Sequence, residues 1–395
     1  SNAAKQLIQH NTYPVLNRME WLRRNSNRVN LTNQNIKFQF NNEILNSLSK
    51  TLLPVYLSNY NSSNTDNEKS SWSLWSEGTI SVGRIGDTSV SSSKNINTSA
   101  ITLGADKRGK DNIMRGIALR FGSDDVDVGD LGSALNMSTF GLTFYETKPK
   151  GEERFTDHLL GLSFINSDLI NNSGSTSTNG ERSGEQIYGS FSLRDTLSKN
   201  NLNFTPKIKI DYGVTHFAEY TETGAAGLNL KFKDQYIGNF ITSVGANIDK
   251  KFDLKNKSFL PYFDFNYSAD MSPSTKQKFS YSSGGDKYTL DNINNATHSI
   301  HTGIGFDLIT ESGFNLMTKY TRDQTTGGSY NDNFVIAGDY RASYNSSYTL
   351  SVHETSTEVS FKSKHNNLNF DVTSNLDFFA EDPEYGIYLK VYSLK

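Results

Sequence analysis

The sequence predicts an all-β protein: a closed antiparallel transmembrane β-barrel of about twelve strands, or fourteen if the C-terminal runs join the wall, with an N-terminal α-helix in its lumen. Three observations predict it. Runs of ten or more residues alternate apolar and polar side chains, and that length suits a tilted strand crossing a bilayer, where soluble sheets use about five or six. Connections between the runs alternate long and short, as in barrels of outer membranes. Aromatic residues are abundant (24 Phe, 20 Tyr, 3 Trp), as the girdles at two membrane interfaces require.

Composition narrows the class. At 35% hydrophobic residues and a mean hydropathy of -0.57 the chain is too polar for helical spans, whereas a barrel needs only every second residue apolar. The net charge of -3 offers no basic footprint for nucleic acid. There is no cysteine, which excludes thiol catalysis, cysteine-held metals and disulfides; neither metal nor cofactor is expected. Ser1–Ala3 reads as an expression scar, and no signal peptide follows. The chain divides into this scar (1–3), a helical lumen segment with linker (4–70) and the barrel (71–395).

Residues 13–28 predict a helix. Pro14 suits its first turn, Val15, Met19 and Leu22 follow at helical spacing, and Arg18, Arg23, Arg24 and Arg28 make it basic. Asn42–Tyr56 predicts a second helix, Asn35–Phe40 an extended stretch, and 58–71 an Asn/Ser-rich linker. Strands are predicted at 72–84, 97–107, 113–122, 137–147, 154–166, 185–194, 202–217, 237–253, 259–271, 297–309, 313–322 and 334–343. Long loops fall at 85–96, 123–136, 167–184, 218–236, 272–296 and 323–333, and short turns between the rest. After residue 344, Tyr348–Val352, Val359–Phe361, Leu368–Val372 and Ile387–Val391 alternate too, with a bulge or a turn near 354–356.

The strand faces opposite the apolar ones carry charge, including Arg120, Arg194, Lys207, Lys209, His301 and Lys319. Such residues belong in a wet interior, because Lys or Arg at the lipid midplane costs about 2–4 kcal/mol. Asp211, Asp249, Asp264 and Asp307 share that phase and are the candidate partners for Arg18, Arg23 and Arg24 on a helix seated in the lumen. Weaker signals read as structure. Asp124, Asp125, Asp127 and Asp130 lack EF-hand spacing and predict a solvated loop. Gly303 and Gly305 predict space for the lumen helix, and Asp211 and His216 are isolated candidates for hydrolase chemistry.

The run W-S-L-W-S-E-G-T-I-S-V-G-R from Trp72, the following L-G-A-D-K-R and R-G-I-A-L-R-F-G, and residues 241–267 together resemble the autotransporter β-domain, the translocator of type V secretion. L-N-R-M-E-W-L-R at 16–23 is similar to the helix that precedes such barrels and threads their lumen. The resemblance implies an outer-membrane anchor, not an enzyme, that brings its own N-terminal passenger to the surface of a Gram-negative cell. It further implies a monomer among outer-membrane lipids, inserted by the barrel-assembly machinery. Two departures matter. Tyr13 and Pro14 stand where some members cut themselves at Asn-Asn, so no cleavage by that route is expected, and Tyr392-Ser393-Leu394-Lys395 replaces the usual terminal aromatic. The alternative is a porin-like channel or an adhesin displayed through the long loops.

Overall fold

The computed structural model describes residues 2–24, 73–86, 92–109, 112–151, 153–173, 176–225, 227–292, 298–310, 314–340, 346–352, 357–365, 368–376 and 385–393. Twelve strands make the wall: β1 (Ser73–Ile85), β2 (Lys94–Arg108), β3 (Met114–Val128), β4 (Ser133–Lys150), β5 (Arg154–Ser173), β6 (Thr176–Asp195), β7 (Leu202–Phe217), β8 (Gln235–Lys250), β9 (Lys257–Asp270), β10 (His298–Thr310), β11 (Phe314–Thr325) and β12 (Tyr330–Tyr340). Each pairs antiparallel with the next, and β12 returns to β1 from Gly78↔Ile336 to Arg84↔Tyr330, closing the ring. Closure leaves no edge, the condition for a sheet to cross lipid.

Alternation orients the wall. Leu160, Leu162 and Phe164 on β5, Ile187 on β6, Ile208 on β7 and Ile304 on β10 point outward and are exposed, forming the lipid face. Arg120, Arg194, Lys207, Asp211, Asp249, Asp264, Asp307 and Lys319 point inward and are buried. All twelve predicted wall strands are present, but two predicted loops are not loops. β3 runs on to Val128, and β5 and β6 extend to Ser173 and from Thr176, so strand fills much of 123–136 and 167–184. These extensions are polar because they rise out of the bilayer, where outward residues meet water. Asp124 consequently points inward, while Asp125 and Asp127 point outward and are exposed, which splits the acidic group. Gly129 (φ +62) and Gly132 (φ +74) make the tight turn that follows, a backbone conformation that favours glycine.

Helix α1 spans Asn2–Arg24 and fills the lumen. It starts eleven residues before the predicted Tyr13, so Pro14 lies in its middle. Pro14 removes the donor that His10 would accept, yet a helix buried on every side takes its stability from packing more than from propensity. Arg28, the second predicted helix at 42–56, the extended stretch at 35–40 and the linker at 58–71 lie outside the described residues.

The wall closes at Tyr340 with twelve strands, the first of the two expected counts. β13 (Ser346–Val352), β14 (Thr357–His365), β15 (Leu368–Leu376) and β16 (Tyr385–Ser393) pair only with one another among the described residues. β13 and β14 pair antiparallel, and the bulge or turn expected near 354–356 lies outside the described residues. On the long-loop side, residues 220–221, 230–232, 275–281 and 287–292 form a small sheet across which Tyr220, Phe232, Phe279 and Tyr288 stack in sequence.

The outward face of β5 gives a test of depth. Leu162→Arg should lower unfolding free energy by about 2–4 kcal/mol, and Asn166→Arg, beyond the apolar belt, by about 0–1 kcal/mol. Urea titration of the compact, heat-modifiable gel band measures both, and equal losses would refute the assigned belt.

Candidate functional site: the lumenal helix and its charged seat

The helix meets the wall through charge at its C-terminal half. Arg18 lies flat against Asp106 of β2, with Nε 2.7 Å from Oδ2 and Nη2 2.9 Å from Oδ1. Tyr145 donates to the same carboxylate at 2.8 Å, and Trp75 Nε1 donates to the Tyr145 oxygen at 2.7 Å. The guanidinium also sits 5.0 Å above the Trp21 ring of its own helix. Gly104 makes room for this chain, since a Cβ there would fall inside the Trp75 indole.

Arg24 grips Asp307 in the same two-point manner, at 2.9 and 3.2 Å, and its guanidinium covers the Tyr262 ring at 3.9 Å. Arg23 lies 3.5 Å from Asp249 and donates to Thr205 at 3.3 Å. Asp249 also accepts from Asn203 at 2.6 Å. Two-point Arg–carboxylate pairs fix orientation as well as distance, which a lysine at the same positions could not.

Glu20, the sole acid of α1, is the centre of a second network. Arg194 of β6 approaches it at 2.9 Å, Lys207 of β7 at 3.5 Å and Lys319 of β11 at 3.7 Å. Those cations are shared with the wall: Arg194 with Asp157 at 2.5 Å, Lys207 with Asp264 at 3.0 Å and Lys319 with Asp264 at 2.6 Å. One carboxylate on the helix therefore gathers cations from three separate strands. Further up, Asn11 donates to Gln186 at 3.2 Å and accepts from Arg120 at 3.3 Å, and Tyr13 donates to Asp323, which His301 also approaches at 2.8 Å.

The sequence-predicted residues divide. Arg23 and Arg24 meet Asp249 and Asp307, two of the four named partners. Asp264 and Asp211 instead face lysines, Asp264 between Lys207 and Lys319 and Asp211 at 2.6 Å from Lys209. The lysines that claim them stand on the inward rows of β7, with Lys207 and Lys209, and β11, with Lys319. Asp106 and Glu20 were missed. Asp106 was legible as the inward phase of L-G-A-D, opposite Leu103 and Ala105; nothing in a helical pattern marks Glu20 as different from a solvated acid. Gly303 serves the wall, because a Cβ there would crowd Asp264 and Lys319, and Gly305 clears the Tyr262 ring. Asp211 points inward while His216 on the opposite face stacks on Tyr236 at 4.6 Å, so these two do not converge.

A twelve-stranded closed wall with a helix through its lumen defines a plugged membrane barrel. The sequence model of the family described as autotransporter beta-domain matches residues 74–321, and the chain belongs to that family. Among solved structures, it is similar to the translocator domain of autotransporter NalP from Neisseria meningitidis, at 12% identity and a TM-score of 0.56, over 75% of this chain and 97% of that one. It is also similar to the β domain of the Bordetella autotransporter BrkA, at 11% identity and a TM-score of 0.51, over 69% of this chain and 99% of that one. At such identity the likeness is one of fold. No curated protein matches the sequence. The family is a transport domain of the outer membrane, belonging to type V secretion.

The Arg18–Asp106 contact yields a measurable coupling. Asp106→Ala takes the two-point carboxylate partner from a buried guanidinium and should cost about 3–5 kcal/mol, as should Arg18→Ala, while the double variant should lose clearly less than their sum. Urea titration of the three proteins gives the coupling, and additive losses would show that the two residues act independently.

Proposed function

We propose that the chain is the translocator and anchor of an autotransporter, exporting an N-terminal passenger to the cell surface, after which α1 closes the path. The observation that carries this reading is the direction of the helix. Its first turns lie at the long-loop end, where Lys5 pairs with Asp270 at 3.0 Å and the Ala4 carbonyl accepts from Gln186 at 3.1 Å. Its last turn lies at the short-turn end, against Asp307. Chain preceding α1 would thus leave on the long-loop side, the face this reading puts outside the cell. The wall offers a route on which every strand's backbone is paired, so a passing segment meets side chains and water and no open edge. Folding of the passenger outside would favour outward movement.

In this reading Arg18, Arg23 and Arg24 seat the helix on Asp106, Asp249 and Asp307. The barrel works as a monomer in outer-membrane lipid, placed there by the barrel-assembly machinery. The test is surface display. With a signal peptide and a small reporter fused ahead of Lys5, external protease should digest the reporter on intact Gram-negative cells; a reporter protected beside a correctly inserted barrel would leave a channel or a loop-displayed adhesin. The seating is tested separately: replacing Arg18, Arg23 and Arg24 together by Ala should raise single-channel conductance several-fold in a planar bilayer, and unchanged conductance would refute it.

A further inference from the structure

Above the charged seat the lumen changes character. Ile96 on β2, Val126 on β3, Met137 on β4, Ile165 on β5, Phe217 on β7 and Ile237 on β8 all point inward, and with Ala4 and Leu7 of the helix they form one buried apolar cluster. None of the six wall residues is more than 8% exposed, and Leu7 is 1% exposed. A polar lumen does not call for these residue types. The strands invert their polarity at this height: on β3 the outward residues around Val126 are the exposed Asp125 and Asp127, and on β2 the exposed Asn95 and Asn97 flank Ile96. Lower on β3 the order is reversed, with Phe121 outward and Arg120 inward. Inversion places water outside and a dry surface inside.

We propose that this collar is a binding site for apolar side chains at the outer mouth, occupied by Ala4 and Leu7, and that it bars water and ions from the lumen on the arc from β2 to β8. Over the remaining arc the Lys5–Asp270 pair holds the helix end against β9. Hydrophobic constrictions exclude ions because a hydrated charge cannot enter a contact that offers it no partner. The collar therefore sets a requirement on the exported chain that the ion pairs below do not: the residue that comes to rest at position 7 must be apolar. The proposal rests on the reading that the long loops face outside.

Cysteine accessibility tests it, since the chain has no native cysteine. Thr12 is 1% exposed and lies about 7.5 Å along the helix from Leu7, below the collar. In the full chain on intact cells, Thr12→Cys should react slowly with a membrane-impermeant maleimide, at least ten-fold faster when combined with Leu7→Asp, and no faster when combined with Leu7→Met. Every variant is first checked for the heat-modifiable band. Ser283→Cys, in an exposed turn on the long-loop side, is the orientation control and should react rapidly. If Ser283→Cys reacts while Leu7→Asp leaves Thr12→Cys slow, or while Thr12→Cys is already fast beside native Leu7, the collar is overturned and the orientation stands. If Ser283→Cys is unreactive from outside, the orientation fails and the collar's assignment fails with it.

Discussion

The pairing of β12 with β1 is the constraint on which the rest depends. Lipid offers no partner to a backbone amide, so an open edge would leave a row of unpaired groups at several kcal/mol each. Closing the sheet removes that cost and also fixes a radius. Eight strands make a barrel whose own side chains fill it, and sixteen or more leave an aqueous channel. Twelve fall between: too wide to be filled by the wall, and wide enough for one helix of about 10–12 Å. The lumen thus has to hold something, and α1 is what this chain provides.

What the helix meets there follows from the same geometry. At bilayer height outward residues are committed to lipid, so charges on the wall strands there are driven to the inward row, and the inward rows of twelve strands converge. Asp106, Asp249 and Asp307 would be costly in a confined lumen without cations, and Lys207, Lys319 and Arg194 would be costly without Glu20 and the wall acids that flank it. Buried ion pairs seldom add much net stability over well-packed apolar groups. They do punish displacement: sliding α1 by one turn would separate Arg18 from Asp106 and Arg24 from Asp307 together. The network accordingly defines a position along the barrel axis, which apolar packing alone would leave loosely specified.

How much of this the sequence discloses depends on whether one environment or two act on a strand. Within the bilayer the outward face is predominantly apolar, so alternation at Leu160, Leu162 and Phe164 is plain and the twelve wall strands could be read directly. Above the bilayer the outward face is wetted, and the same strand reads as Asp-Asp-Val-Asp or Asn-Ile-Asn, indistinguishable by composition from a loop. The collar was hidden for that reason. The helix was misplaced at its start because Pro14 is a sound first-turn signal in a solvated helix and a tolerable interior residue in one packed on all sides. The partners of Arg23 and Arg24 could be guessed, since Asp249 and Asp307 stand alone on their rows near the short-turn end. Asp264 could not be assigned by such reasoning, because which of several cations claims it depends on the stagger between β7, β9 and β11.

The low identity to structures of the same fold has the same origin. A wall strand must satisfy a phase, apolar outward and small or polar inward, and almost any residue of the right class does so. A fold specified by phase tolerates wide change in identity, in keeping with a shared fold at 12% identity. The lumen is different, because a two-point contact such as Arg18 with Asp106 requires particular residues on two elements at once, and a change in one must be matched by the other. The seat in this chain, with Glu20 facing three cations and Arg18 locked to a carboxylate that Tyr145 and Trp75 hold in place, is a property of its own twelve strands.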